Sequence, residues 1–138
     1  MRRPIAIACL LAFLSVPTFA ADCPVESMAP SEVEKLIVAA PGCEQSLKIF
    51  QSCGMGASSD VRLGGVVTEK CEAAFEGRLS GAERRAYSRA QAICEKKYQR
   101  ETGSMYRSFE AFCFAEAAAR MAKQVARPTA AKPGRPDR

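Results

Sequence analysis

Apolar residues recur along the chain at helical spacing. Segments with an apolar residue at every third or fourth position are separated by short breaks of Gly, Pro or Ser, and no stretch shows the sustained apolar-polar alternation of a strand. The pattern therefore predicts an all-α fold of about five helices. The expected spans are 33–40, 43–53, from a cap at 58–60 to 75, 80 to about 102, and about 105–125.

Capping residues and glycines support these boundaries. Ser31 and Ser80 each precede a Glu at the spacing of a capping box, so each is expected to begin a helix. Gly54 and Gly103 are expected to take left-handed conformations at helix ends. The pair Gly64-Gly65 lies inside the third predicted helix, where it either delays the regular helix or lets a neighbouring backbone approach closely.

The last two predicted helices are amphipathic. On the fourth, one face is expected to be buried and comprises Tyr87, Ala90, Ile93, Cys94 and Tyr98. An adjacent basic strip comprises Arg85, Arg89, Lys96 and Arg100. On the fifth, the inward residues are Phe109, Phe112, Cys113, Ala117 and Met121. The basic strip could bind anionic lipid headgroups. Basic strips on helices more commonly face solvent, however, and Glu95 and Glu101 interrupt this one in the sequence.

Both ends of the chain differ in composition from the predicted helical domain at 21–126. Residues 1–20 have the pattern of a signal peptide: Arg2 and Arg3, a short apolar run, and small residues before a cleavage site after Ala20. The apolar run of about twelve residues is too short to span a bilayer. Residues 127–138 contain three Pro and four basic residues and are expected to form a disordered basic tail.

Six cysteines remain after removal of the leader, and an even number in a small exported chain predicts three disulfide bonds. In an antiparallel helical hairpin, residues equidistant from the turn face each other. Cys94 and Cys113 are equidistant from the break at 103–104, and Cys43 and Cys71 are equidistant from the break at 54–59, which leaves Cys23 with Cys53. No C-x-x-C motif and no His occur, so we expect neither a metal site nor a cofactor.

The charge balance and the absence of His argue against two classes of function, nucleic-acid binding and catalysis. Without Arg2 and Arg3, eighteen basic and fifteen acidic residues remain, a net charge of +3, and the tail accounts for all of it. The domain at 21–126 has fourteen of each sign, so the composition does not indicate a nucleic-acid-binding protein. The absence of His removes the commonest catalytic bases, and the protein is not expected to be an enzyme; paired carboxylates of the glycosidase type are the remaining alternative.

The third predicted helix carries a candidate partner-binding surface. Glu69, Glu72 and Glu76 fall within about 60° on one side of this helix. Three carboxylates on one face could contact a cationic partner protein. The alternative is that they pair with the arginines of the fourth helix or face water, as charged helix faces usually do.

A family resemblance supports these expectations. Residues 79–120 resemble the LprI-like family of small exported proteins, which is named for a lysozyme inhibitor. The residues that carry the resemblance are Glu83-Arg84-Arg85-Ala86-Tyr87, Cys94, Gly103-Ser104-Met105, Cys113 and Arg120, with Asp60-Val61-Arg62-Leu63 upstream. Tyr87 stands where the family usually has Trp, and Gly64-Gly65 replaces a Leu-Asn. The resemblance implies an all-helical, disulfide-bonded module and, more weakly, lysozyme inhibition.

Together these observations predict a periplasmic or secreted binding module that acts on a protein partner, with lysozyme or another cell-wall enzyme as the candidate. The alternative is an envelope structural or interaction protein that associates with anionic surfaces through its basic tail at 127–138.

Overall fold

The computed structural model describes residues 23–25 and 29–127. These residues form an all-α bundle, as the apolar spacing predicts, and contain no strand. The expected signal peptide at 1–20 and the tail beyond Arg127 lie outside the described residues. The five helices are α1 (Pro30–Ala39), α2 (Cys43–Cys53), α3 (Ser59–Ala73), α4 (Gly81–Tyr98) and α5 (Ser104–Ala126).

The helix starts follow the sequence in some places and not in others. At α4 the Ser80 hydroxyl accepts from the Glu83 amide and the Glu83 carboxylate accepts from the Ser80 amide, which confirms the expected capping box. The capping role expected of Ser31 is wrong. A proline at the first helical position is favourable, and α1 therefore begins at Pro30, after Ala29, without a side-chain cap.

The core is built around α3 and α5, which run in the same direction. Near both helix starts, the Ser108 hydroxyl donates to the carboxylate of Asp60 over 2.7 Å. One turn further along, Gly64 meets Ala111 so closely that a Cβ at Gly64 would lie 2.9 Å from the Ala111 Cβ. The glycine and the small residues of α5 therefore let the two helices approach. The buried small residues of α5 are Ala111, Ala115, Ala117, Ala118 and Ala122.

Three disulfide bonds hold the helices to one another and to the N-terminal segment. They join Cys23 to Cys53, Cys43 to Cys71, and Cys94 to Cys113. These are the pairs expected from the hairpin symmetry. The second bond links α2 to α3 and the third links α4 to α5, so each closes one antiparallel pair.

Several local expectations are wrong. The fourth helix ends at Tyr98, four residues before the expected end, and a turn leads from there to Gly103, which has φ 107°. Ile93 and Phe109, which the spacing predicts to be buried, are 66% and 43% exposed. None of the described helices covers Ile93, and Phe109 is only partly covered, with the rings of Tyr98 and Tyr106 beside it. Gly54 is extended, with φ −69°. A Cβ at Gly54 would overlap the tip of the Phe112 ring, so a larger residue there would displace this ring.

No helix in the described part of the chain is both long and apolar enough to cross a membrane.

Candidate binding groove

A groove lies where the end of α3 meets the start of α4. Its volume is about 420 Å³. Glu69, Glu72 and Glu76, the three carboxylates singled out in the sequence, all line it. Its other side chains include Phe75, Leu79, Arg84 and Tyr87. The structure thus brings the three acidic residues together on one concave surface, beside apolar side chains.

The chain forms this groove by turning between α3 and α4. After Ala73 a series of turns continues to Arg78, and Gly77 has φ 73°, a conformation that L residues with a Cβ rarely adopt. Phe75 lies in these turns and is buried against Tyr87, with ring centroids 5.1 Å apart and an edge-to-face angle of 77°. This aromatic contact holds the start of α4 against the end of α3.

Glu72 has a different role from its two neighbours. It is half-buried, and its carboxylate accepts a hydrogen bond of 2.6 Å from the Tyr87 hydroxyl and a longer one of 3.5 Å from the Gln91 amide. Burial, and then the hydrogen bond to Glu72, raise the pKa of Tyr87 above its ordinary value of 10.0. Tyr87 therefore stays a neutral donor through the physiological pH range. Glu72 mainly fastens α3 to α4, by a contact with Tyr87 rather than with the basic strip of α4.

Glu69 and Glu76 are exposed, and neither forms a salt bridge with any residue in the described ranges. Arg84 is the one basic residue among those that line the groove, and its guanidinium donates to the Leu79 carbonyl oxygen over 3.3 Å. With three carboxylates against one guanidinium, the lining carries an excess of two negative charges. The groove is therefore suited to a cationic group. Such a group can approach Glu69 and Glu76 from solvent, because both side chains are exposed.

Asp60, expected to help cap the third helix, is fully buried and acts beyond its own helix. Its carboxylate accepts from the backbone amides of Met55, Gly56 and Ala57, at 2.9–3.4 Å, and from the Ser108 hydroxyl. Four donors replace the water lost on burial. Asp60 thus ties the loop before α3 to α5 and is a structural residue rather than a site open to a partner.

A second groove, of about 460 Å³, lies between α2 and α5 and is lined mainly by apolar side chains such as Leu47, Ala119 and Ala122. It does not include the three acidic residues. Within residues 23–25 and 29–127, no group of three His, Cys, Asp or Glu side chains converges as a metal site would require.

The acidic residues of the groove were recognised from the sequence, but its apolar part was not. The sequence pattern places Tyr87 only on the buried face of the fourth predicted helix. The Tyr87 hydroxyl donates a hydrogen bond to Glu72, which lies fifteen positions earlier on another helix. No spacing rule within one helix predicts such a contact. Phe75, Leu79 and Arg84 carry no sequence signal for a groove, because their placement depends on the turn between the helices.

No family model matches the chain, and no match is found among curated proteins or among solved structures.

Proposed function

We propose that this protein is an exported binding module that recognises a basic partner protein through the acidic groove at the α3–α4 junction. The observation that carries the proposal is the placement of Glu69 and Glu76, both exposed and without salt bridges in the described part of the chain, on the wall of a groove with apolar residues beside them. Such a groove can receive a Lys or Arg side chain, with its charged head at the carboxylates and its alkyl stem against Leu79 and Tyr87.

The partner we propose is a lysozyme or another cell-wall enzyme. Two lines support this choice: the resemblance of residues 79–120 to a family named for a lysozyme inhibitor, and the negative charge of the groove. Residues 21–126 carry no net charge, so the helical domain as a whole does not attract a basic enzyme by long-range electrostatics. Recognition therefore depends on local complementarity, and charge changes within the groove should mainly affect the lifetime of the complex.

Binding rather than catalysis fits this surface. Glu72 is engaged with Tyr87, and the sequence contains no His to act as a general base. The disulfide Cys43–Cys71 lies at the end of α3 that forms the groove wall, so the wall is fixed before a partner arrives. A rigid surface loses less conformational entropy on binding than a mobile one, and this benefits an inhibitor.

The test measures lysis of bacterial cells by several purified lysozymes, with and without the purified exported protein. The key variant is Glu69→Lys with Glu76→Lys, which reverses the exposed charges of the groove and leaves Glu72 in place. The matched control is Glu95→Lys with Glu101→Lys, which makes the same change in net charge at exposed positions on and after α4.

We expect the wild type and the control to inhibit lysis and the groove variant to lose inhibition. If no lysozyme is inhibited by a micromolar excess of the wild type, lysozyme is not the partner. If the groove variant inhibits as well as the wild type does, the groove is not the binding surface.

A further inference from the structure

The outer face of α4 carries a second charged surface, opposite in sign to the groove. In the described part of the chain, α4 packs along its length against α5 alone, with Tyr87 reaching the end of α3. At about 100° per residue, four exposed residues with long side chains fall within about 80° on the side that faces away from α5. We call them the α4 basic face: Arg85, Arg89, Ile93 and Lys96.

Carboxylates are excluded from the centre of this face. By the same helical geometry, Glu95 lies about 120° from its centre, so the interruption suggested by the sequence does not occur in space. The other acidic residue of α4 is Glu83, whose carboxylate is already held by the Ser80 amide over 2.8 Å. Glu101 follows the end of the helix, in the turn before Gly103.

The cations of the α4 basic face are not neutralised. The five salt bridges found among residues 23–25 and 29–127 all lie on other helices, and none involves Arg85, Arg89, Lys96 or Lys97. Lys97 lies outside this face: its ammonium group is 5.1 Å from the centre of the Tyr98 ring, and it lines a pocket with Phe109 and Glu116 of α5. The three unpaired like charges of this face repel one another at a cost in stability. This cost is offset when an anionic surface binds them.

From this arrangement we propose that the α4 basic face binds the phosphate headgroups of an anionic lipid bilayer, so that the protein lies on a membrane surface with α4 in contact with it. Neither the acidic groove nor the α2–α5 groove includes a residue of this face, which is the convex outer side of a helix. A convex row of long cationic side chains suits an extended layer of phosphates, which requires charge but no shape match. Ile93 lies between Arg89 and Lys96 along the helix and is 66% exposed, so its side chain can insert between headgroups.

The proposal does not rest on the acidic groove. Because Glu69 and Glu76 lie on α3 while the α4 basic face points away from the bundle, the two surfaces can be tested with separate variants. It also differs from an association through the tail, since it assigns the lipid contact to residues within a helix.

The test is co-sedimentation of the purified exported protein with vesicles of equal parts phosphatidylglycerol and phosphatidylcholine, compared with phosphatidylcholine alone. The face variant carries Arg85→Gln, Arg89→Gln and Lys96→Gln. Two full-length controls remove the same three charges elsewhere. The tail control carries Lys132→Gln, Arg135→Gln and Arg138→Gln. The body control carries Lys35→Gln, Lys48→Gln and Lys123→Gln, which lie on α1, α2 and α5.

Each basic residue near an anionic bilayer contributes about fivefold to binding, so the face variant should lose about 100-fold in affinity for the anionic vesicles, and each control less than about tenfold. The wild type should also release the vesicles when salt rises from about 50 mM to about 300 mM. This salt response is measured on the unaltered chain and does not depend on how a variant folds.

Three results would overturn the proposal. The first is equal binding of the wild type to both kinds of vesicle. The second is a loss in the tail or body control as large as that in the face variant. The third is an absence of vesicle binding at low salt together with face-dependent binding to an acidic polypeptide such as polyglutamate, which would assign the face to a protein partner.

Discussion

Gly64 and Gly65 are neighbours in α3 with opposite surroundings, so replacing each of them with Ala tests whether the contact between α3 and α5 determines stability. A Cβ at Gly64 would lie 2.9 Å from the Ala111 Cβ, 3.1 Å from the Ala111 carbonyl oxygen and 3.1 Å from the Phe50 ring. A Cβ at Gly65 would meet nothing within 4 Å. The two substitutions therefore share the same chemistry and differ only in packing.

The expected magnitudes follow from two effects. Replacing Gly with Ala inside a helix stabilises it by about 1 kcal/mol, and both variants gain this amount. At Gly64 the added methyl group also overpacks a contact made with backbone atoms of α5, which costs about 1–3 kcal/mol. We therefore expect Gly65→Ala to raise the free energy of unfolding by about 1 kcal/mol. Gly64→Ala should be less stable than Gly65→Ala by about 1–3 kcal/mol.

The assay is urea denaturation followed by far-ultraviolet circular dichroism, with the disulfides intact. For a domain of this size the expected difference corresponds to at least about 4 °C in Tm, which thermal unfolding also resolves. Adding Ala111→Gly to Gly64→Ala removes one of the overlapping methyl groups. This second change should cost less stability in that variant than it does in the wild type.

If Gly64→Ala is as stable as Gly65→Ala, the close approach of α3 and α5 does not limit the packing of the core, and Gly64 is not needed for it.

Four further variants test other contacts, each measured by urea denaturation. Asp60→Asn should lower the free energy of unfolding by about 2 kcal/mol because it weakens charge-assisted hydrogen bonds, and Ser108→Ala by about 1 kcal/mol; unchanged stability in both would contradict the role of the buried carboxylate. Cys94→Ser with Cys113→Ser opens a loop of 19 residues and should cost about 3 kcal/mol; a loss below about 1 kcal/mol would show that the α4–α5 hairpin does not need its crosslink. Because the pKa of Tyr87 is raised in the folded protein, the unfolded chain releases the tyrosine proton first as the pH rises. The stability that is present below pH 10.0 should therefore fall at higher pH. Tyr87→Phe should show a smaller fall, and parallel pH profiles of the variant and the wild type would refute this linkage.

Local features of the sequence were sufficient to predict the helices and the cysteine partners. Helical spacing, the Ser80 capping box and the punctuating glycines depend on residues within a few positions of one another, so they can be interpreted without knowledge of the fold. The disulfide partners followed from the symmetry of helical hairpins, which is also a local property once the turns are placed. The three glutamates on one face of α3 could be recognised for the same reason.

Only the tertiary structure determined which faces of these helices are covered. Ile93 has the spacing of a buried residue but is exposed, because burial requires a neighbouring helix and none of the described helices packs on that side of α4. The Tyr87–Glu72 hydrogen bond and the buried Asp60–Ser108 pair join residues that are distant in sequence, and their formation depends on how α3 meets α4 and α5. The groove and the α4 basic face exist for the same reason: both are surfaces left open by the packing of helices.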